Sequence, residues 1–328
     1  MKNITGLPEY INFHYQFDIF SLFTLITILY SIPPTYFLAW MFHFWVQHKN
    51  SMTKNGLRSD IFLLFLVMQL VCTLNTFNFI LFYRLPLTGV FTSYCASKNP
   101  KTLIYLCYLF MYFTVILRNL STLLFCFARS FMMFSKKVDL RMYFKEIFGV
   151  LSILIAISVI LSLIRNSDPS ICVQLEPPYP FGALRIALDV PVGYKSLYSK
   201  IEHIMYPTIM VILLVSTGMT FWKLHQLRKQ SEALTTSTVT YSRKKPDLKS
   251  EKTLTVAMTL ILLPILLTEV IVICESLGSH FYVLVLVRSV FGDARAHVVT
   301  CYFYWTHPIF ECAKRRKRTC VKGVVTVT

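Results

Sequence analysis

Charged residues and glycine are both scarce in this sequence. Only 15% of the 328 residues are charged, whereas a soluble domain of ordinary composition has roughly 25%. The 10 glycines and 14 prolines are too few for a collagen-like or low-complexity protein. These shortages exclude a soluble globule of ordinary composition and the fibrous classes.

The sequence also lacks the short motifs on which most enzyme chemistry depends. It has no glycine-rich phosphate loop, no cluster of histidine and cysteine with metal-ligand spacing, and no nucleophile motif. We therefore predict that the chain is not an enzyme and that it uses no cofactor and no metal.

Hydrophobic residues, in contrast, make up 55% of the chain. A bilayer core about 30 Å thick is crossed by about 20 apolar helical residues. Runs of suitable length occur at 19–40, 61–83, 102–127, 147–164, 204–222, 254–274 and 281–303. We predict an all-α membrane protein, a seven-transmembrane helix bundle that forms one domain over residues 1–310. A basic tail over 311–328 follows it.

The net charge of the chain is +17, and the positions of its basic residues indicate how the chain crosses the membrane. Basic residues punctuate the apolar runs and do not form the basic face of a nucleic-acid-binding domain. With the N-terminus outside, 22 of the 33 Lys and Arg residues fall in cytoplasmic segments and 8 in exterior ones. Because basic loops tend to stay cytoplasmic, we predict an N-terminus outside and a C-terminus in the cytoplasm. The predicted partners include the lipid bilayer and exclude nucleic acid.

Several residues of the loops and tail are candidates for covalent modification. Asn3 begins a glycosylation sequon in the predicted exterior segment. Cys95 and Cys172 fall in exterior loops, where a disulfide can form. The alternative is that these two thiols are free or otherwise paired. Cys312 and Cys320 flank a basic run beside the membrane, which is typical of palmitoylation.

Charged groups within the apolar runs point to function, because each one needs a partner or a cavity in the membrane. The helical rise places Glu269 and Asp293 each about 22 Å above the inner face. His297 lies one turn below Asp293 on the same face. We predict that these three residues line a ligand cavity in the outer half. In the alternative interpretation, the two acids balance Arg288 or Arg295 structurally.

The third run carries a tyrosine stripe at its outer end. Tyr105, Tyr108 and Tyr112 follow i, i+3, i+7 spacing, so they share one helical face. One interpretation makes them ligand contacts, and the other makes them packing and interfacial residues.

Four further residues are candidates for a conformational switch. Arg118 and Asn119 lie about 24 Å below the outer end of the third run, and we expect Arg118 to hydrogen-bond a polar side chain of the second run. Pro264 and Pro308 each remove a backbone donor and can bend the sixth and seventh helices.

Four segments carry a resemblance to a known family. They are Gly-Leu-Pro-Glu-Tyr-Ile-Asn-Phe at 6–13, Leu-Arg-Asn-Leu at 117–120, Gly-Asp at 292–293 and Tyr-Trp-Thr-His-Pro-Ile-Phe at 304–310. With the seven runs and Arg129 at the inner end of the third, the sequence resembles G-protein-coupled receptors. More narrowly, it resembles the nematode serpentine chemoreceptors of class U, in the Srg superfamily, over essentially the whole chain.

The resemblance implies a chemosensory receptor of the plasma membrane, with the sensory cilium as a location. Such a receptor binds a small molecule in its outer half and signals through a heterotrimeric G protein. By the same resemblance, the coupling candidates are Arg129 and the basic group Arg243, Lys244 and Lys245. The residues that flank Arg129 depart from the rhodopsin-like pattern, so the usual ionic lock with the preceding residue is unavailable.

Two other functions remain open at this point. A multi-pass transporter or ion channel would use the intramembrane charges as a permeation path. A seven-span scaffold or membrane hydrolase is the third alternative, and the absence of a metal constellation in the sequence weighs against it.

Overall fold

The computed structural model contains seven long helices and a small sheet. It describes residues 2–52, 59–97, 101–134, 140–165, 170–177, 179–188, 197–236, 248–276, 281–307 and 309–310. The long helices are α1 (Ile19–Met52), α2 (Ser59–Phe79), α3 (Lys101–Phe134), α4 (Leu140–Arg165), α5 (Leu197–Thr236), α6 (Leu248–Ser276) and α7 (Phe281–Thr306). Each overlaps one of the predicted apolar runs, and α5 extends well beyond both ends of its run.

Five described stretches are long and apolar enough to cross a membrane. They are Ile19–His48, Ser59–Leu87, Ile104–Phe134, Pro207–Lys229 and Glu251–Thr268. The apolar part of α4, Phe148–Ile164, is shorter, and polar residues interrupt α7. Large apolar side chains on the outside of the bundle, such as Ile153 and Val211, are 59% exposed. These surfaces suit contact with lipid, and the fold is that of a multi-pass membrane protein.

α2 continues past the end of the predicted second run. A π-helical turn over Ile80–Arg84 and a short helical turn over Leu85–Leu87 extend it. A π turn inserts one more residue than an α turn and so changes the direction of the side chains that follow. Arg84, which the loop count placed in an exterior segment, is buried here with 1% of its surface exposed.

A three-stranded antiparallel sheet lies at one end of the bundle, which we call the sheet end; the opposite end is the far end. Its strands, in spatial order, are β1 (Lys2–Asn3), β2 (Ser170–Gln174) and β3 (Leu184–Leu188). The register pairs Asn3 with Val173 and Cys172 with Ile186. Ile4 and Leu184 are fully buried beneath the sheet. The first residues of the chain thus pack with the second exterior loop of the predicted topology.

Two glycines leave room for Phe13 under the hairpin that β2 and β3 form. Gly89 and Gly182 have φ angles of +82° and +93°, which side-chain-bearing residues rarely adopt. A Cβ at Gly89 would lie 3.1 Å from the Phe13 ring, and one at Gly182 would overlap that ring. The Thr92 hydroxyl donates to the carbonyl of Gly182 at 2.6 Å. The loop before α3 and the hairpin therefore form one packed unit with the N-terminal segment.

Aromatic contacts extend this unit toward α1. Tyr10 stacks on Phe181 at 4.8 Å between ring centroids, and Phe20 stacks on Tyr179 at 5.3 Å. Burial raises the pKa of the Tyr179 phenol, and the charge of Arg185 opposes that shift. We call residues 2–18, 85–97 and 170–188 together the cap.

The far half of the bundle has a core of aliphatic side chains and aromatic rings. Phe65 of α2 lies 4.3 Å from Phe303 of α7 and 5.7 Å from Phe125 of α3, between ring centroids. Phe310, which follows α7, is fully buried against Phe62 and Phe303. Phenylalanine rings in contact pack these helices densely, and they carry no polar group that would need a hydrogen-bond partner.

A disulfide joins the two loops of the cap. Cys95, in the short helix Thr92–Ala96, bonds to Cys172 of β2, with 6.0 Å between their Cα atoms. Both cysteines are buried. The bond closes a segment with a sequence separation of 77, so it removes much freedom from the unfolded chain.

We expect Cys95→Ser to lower the free energy of unfolding by about 2 to 5 kcal/mol, the usual cost of losing such a bond. Thermal unfolding of the full chain in detergent measures this change. Cys107→Ser is the matched control, because Cys107 is a half-buried free thiol of α3. An unchanged melting temperature for Cys95→Ser, or free thiols at both cap cysteines by mass mapping, would contradict the prediction.

Candidate functional site

A buried ion pair joins three helices near the sheet end. Arg84, at the end of the π turn, donates to Oδ2 of Asp293 on α7, and the side-chain exposures are 1% and 4%. The Tyr30 hydroxyl of α1 donates to the same oxygen at 2.6 Å. Asp293 thereby ties α1, the extension of α2 and α7 together. Asp293 thus pairs with Arg84 and, among the described side chains, not with Arg295, whereas the Arg288 side chain lies outside the described part of the chain.

The rest of this cluster is aromatic. The guanidinium carbon of Arg84 lies 5.3 Å from the ring centroid of Phe23 and 5.9 Å from that of Phe79. Such contacts satisfy faces of the guanidinium that no oxygen reaches. The His297 ring lies edge-on to Tyr30 at 5.1 Å. Within the described residues, neither ring nitrogen of His297 has a hydrogen-bond partner.

A second buried arginine joins α7 to α3. Nη1 of Arg295 donates to Oδ1 of Asn119 at 3.0 Å, and Nη2 donates to the carbonyl of Arg118 at 3.3 Å and to the Thr122 hydroxyl. Only 3% of Arg295 is exposed. Its acceptors are all neutral, and among the described residues it contacts no carboxylate.

The face of α3 that turns toward α7 is less completely covered toward the sheet end. Arg118 and Thr122, whose oxygens accept from Arg295, identify this face, and Met111 and Val115 follow it toward the sheet end at helical spacing. Thr122 is fully buried, whereas Met111, Val115 and Arg118 are only half-buried. We call this stretch of the bundle, level with residues 111–118, the open level.

α7 presents its smallest residue to the open level. A Cβ added at Gly292 would lie 3.9 Å from Nη1 of Arg118, an ordinary contact distance, so the Arg118 side chain approaches α7 closely at this residue. Gly292 itself is half-buried. The open level therefore lies between α3 and α7, directly on the sheet side of Arg295.

The predicted tyrosine stripe runs along α3 from its sheet end into the open level. Tyr108 is buried, Tyr105 and Tyr112 are half-buried, and the Tyr108 hydroxyl donates to that of Tyr112 at 3.1 Å. Tyr105 and Tyr108 thus lie on the sheet side of the open level, and Tyr112 lies within it.

Neutral polar bonds connect α2 to its neighbours. The Thr300 hydroxyl of α7 donates to the side-chain oxygen of Gln69 at 3.2 Å, and Asn78 donates to the Thr114 hydroxyl of α3 at 3.0 Å. With the two arginine clusters, these bonds give α7 polar contacts to α1, α2 and α3. A shift of α7 therefore requires several interhelical hydrogen bonds to change.

Arg129 joins α3 to α6 at the far end. It donates to the Glu251 carboxylate at 3.1 Å, to the Glu251 carbonyl at 2.9 Å and to the Thr255 hydroxyl at 3.0 Å. Arg129 is 2% exposed, whereas the Glu251 side chain is 35% exposed. The next residue, Ser130, donates to the carbonyl of Ser216 on α5 at 2.9 Å. Two adjacent residues of α3 thus hold α5 and α6.

Some candidates from the sequence fall outside the described residues. These are Pro308, Cys312, Cys320, Arg243, Lys244 and Lys245, together with the side chains of Glu269 and Arg288. Pro264 lies buried inside α6. Asn3 is exposed on β1, and its side-chain oxygen accepts hydrogen bonds from Thr5.

Tyr30, Arg84 and Glu251 belong to the site, although none was a candidate from the sequence. One signal for Arg84 was present: the apolar run resumes after it as Leu-Pro-Leu and ends only before Gly89. Tyr30 is one of several hydroxyl-bearing residues of the first run, such as Ser31 and Tyr36, so nothing in the sequence distinguishes it. Glu251 lay in a mixed-charge segment that resembled a solvated helix end.

The geometry defines a membrane bundle with polar clusters in its interior, a capped end and a far end. The sequence model of the family described as serpentine type 7TM GPCR chemoreceptor Sru matches residues 4–313. The chain therefore belongs to the Sru family of seven-transmembrane chemoreceptors. Comparison with curated proteins finds no match.

This membership confirms the predicted resemblance and the seven-transmembrane fold class. It also confirms that the chain is a receptor and not an enzyme, because the family is a receptor family.

We expect the Arg84 and Asp293 pair to be strongly coupled in stability. Arg84→Met leaves a buried carboxylate with no cation, which costs about 3 to 5 kcal/mol. Adding Asp293→Asn should recover a large part of that loss, and the melting temperatures of the single and double variants in detergent measure the coupling. Arg185→Met, at a half-buried arginine of β3, controls for loss of an arginine elsewhere. Additive losses would contradict a direct pairing.

Proposed function

We propose that this receptor binds a small molecule at the open level and passes the signal to a heterotrimeric G protein at the far end. The sheet end faces the exterior of the plasma membrane, and the sensory cilium is a location that family membership favours. The observation that carries the proposal is the contact of Arg129 with Glu251, because it joins α3 and α6 at the end where basic segments concentrate.

We place the ligand at the open level because its residues on α3 are only half-buried and polar side chains lie close to them. We propose Tyr105, Tyr108 and Tyr112 as contacts for polar groups of the ligand, and Glu269 of α6 as a contact for a hydrogen-bond donor on it. Asp293 and His297 face α1 and the extension of α2, so we propose them as contacts for a second part of the ligand on that side of α7.

The proposed switch is a shift between two arrangements of the far end. In the observed arrangement, Arg129 is buried against Glu251 and Thr255. Release of α6 would expose Arg129 and the helix ends around it to a partner. A ligand favours the released arrangement only if it binds that arrangement more tightly. We propose that α3, α6 and α7 change their positions together in this shift. The residues proposed to couple them are Arg118, Asn119, Pro264 and Pro308.

The cytoplasmic surface of the proposed receptor is basic. Arg243, Lys244 and Lys245 lie between α5 and α6 in the chain, and we propose them as contacts for the G protein or the anionic inner leaflet. Palmitoylation at Cys312 and Cys320 would hold the tail at the same surface.

We expect Glu251→Gln to raise signalling in the absence of any ligand. The amide keeps the shape but loses the charge, and for a partly exposed partner such a loss is worth about 1 kcal/mol, or about fivefold in the equilibrium. A G-protein activation assay in transfected cells, at matched surface expression, measures basal signalling.

Glu146→Gln is the control for this experiment, because Glu146 is an exposed acid near the start of α4. Basal signalling that is equal in wild type, Glu251→Gln and Glu146→Gln would count against α6 release as the switch. Absence of G-protein activation even with a broad set of small-molecule stimuli would count against coupling itself.

Topology gives a separate test. We expect Asn3 to be glycosylated and an epitope tag placed after Thr328 to be reached by antibody only in permeabilised cells. Asn3→Gln is the control for the glycan shift on a gel. Staining of the C-terminal tag on intact cells would overturn the proposed orientation.

A further inference from the structure

Aromatic rings line the outer surface of the bundle where α1 meets α7, in its far half. Phe37 of α1 stacks on Tyr304 of α7, with 4.4 Å between ring centroids and 13° between ring planes. Tyr36 and Trp305 flank this stack, with centroids 6.0 Å and 5.9 Å from that of Phe37. Trp40 lies edge-on to Tyr304 at 5.2 Å. We call these five residues the aromatic seam.

The aromatic seam differs from other surfaces of the bundle that face lipid. Tyr36 is 64% exposed and Trp305 is 61% exposed, and the other three residues of the seam are half-buried. On α4, by contrast, the large exposed side chains between residues 150 and 164 are all aliphatic. Rings that already hold one another in place offer a flat and rigid surface, which loses little freedom when a rigid partner binds to it.

Two polar groups of the aromatic seam lack a hydrogen-bond partner. Neither the Tyr36 hydroxyl nor the Trp305 indole N–H bonds to another of the described residues. In membrane proteins, tyrosine and tryptophan usually direct these groups to the level of the lipid head groups. A polar group that stays in hydrocarbon without a partner is costly.

The aromatic seam lies deeper than the head groups of phospholipids. Trp45 of α1 donates to the hydroxyl of Ser59, the first residue of α2, at 3.1 Å, and we take this helix end as the membrane boundary. Tyr36 precedes Trp45 by nine residues, or about 13 Å along α1, and Trp305 lies level with it through their common contact with Phe37. The head-group region on each side of a bilayer is only about 5 to 8 Å thick. At the seam, phospholipids therefore present chiefly acyl chains, which offer no hydrogen bond.

We propose that the aromatic seam binds a sterol, a lipid with a rigid, flat ring system and a single hydroxyl group. The fused rings of the sterol pack on the exposed rings of Tyr36 and Trp305, and its hydroxyl bonds to the Tyr36 hydroxyl and accepts from the Trp305 N–H. A single neutral hydroxyl is immersed to this depth at a lower cost than a charged phospholipid head group. The site is on the surface of the bundle, and it depends neither on the open level nor on the proposed signalling.

The test places the full chain in phosphatidylcholine nanodiscs that contain a photoreactive cholesterol analogue, and mass mapping locates the cross-links. We expect saturable cross-links to the peptides of α1 and α7 that carry the aromatic seam, and excess cholesterol should abolish them. 5-Cholestene has the same rings and tail but no hydroxyl, so it should compete about fivefold less well, as expected for the loss of one hydrogen bond. Equal competition by cholesterol and 5-cholestene, or no saturable cross-link at the seam, would overturn the proposal.

Variants assign the hydroxyl effect to the aromatic seam. Tyr36→Phe removes only a hydroxyl, and Trp305→Phe removes the indole N–H, so each should weaken cholesterol binding about fivefold. Trp222→Phe is the matched control and should leave binding unchanged, because Trp222 is a tryptophan of α5 outside the seam with 59% exposure. Undiminished binding in both seam variants would overturn the assignment. If Trp305→Phe does not fold, Tyr36→Phe and the comparison of cholesterol with 5-cholestene in wild type still decide.

Other occupants of the aromatic seam would give different results. If phospholipid chains alone cover it, cross-links to the cholesterol analogue will not saturate. If a second copy of the chain covers it, the seam will remain unlabelled and the purified chain will migrate as a dimer. Either result would overturn the proposal. Because the cross-linking requires no G protein, failure of the signalling proposal leaves this test unaffected.

Discussion

The need to satisfy arginine side chains inside a membrane bundle decides much of this structure. Arg84, Arg129 and Arg295 are each at least 97% buried, and each lies on one helix while its acceptors lie on another. Because an unpaired guanidinium in such surroundings is costly, each one fixes the distance and rotation of two helices. Arg84 does so for α2 and α7, Arg295 for α7 and α3, and Arg129 for α3 and α6. The three contacts follow one another from the sheet end to the far end.

The two halves of the bundle differ in their apolar packing. Near the sheet end, a disulfide-linked cap covers the helices, and the residues at the open level are only partly covered. Toward the far end, Phe65, Phe303 and Phe310 pack with aliphatic side chains such as Leu66 in one buried cluster, and Arg129 adds polar contacts between α3 and α6. A densely packed interior has little free volume in which to absorb a displacement.

The number and approximate position of the helices could be predicted from the sequence, because a helix that crosses the bilayer needs an apolar run of a fixed length. The positions of Asp293, His297 and the tyrosines within their helices also followed from the rise per residue. The side-chain partners of these residues could not be predicted from the sequence. The ion pair between Arg84 and Asp293 depends on the π turn, and no sequence pattern in Ile80–Arg84 predicts that turn. Likewise, the contact between Arg129 and Glu251 depends on the approach of two helices separated by more than a hundred residues.

The pairing of β1 with β2 sets an order of events during synthesis. Lys2 and Asn3 leave the ribosome before their partners Gln174 and Val173, which follow some 170 residues later. At about 5 to 20 residues per second, strand β1 is without its neighbour for roughly 10 to 30 seconds. During that interval the sequon at Asn3 is unpaired chain, whereas afterwards its middle residue, Ile4, is fully buried. The glycan that we propose at Asn3 would therefore have to be attached before the hairpin pairs with β1.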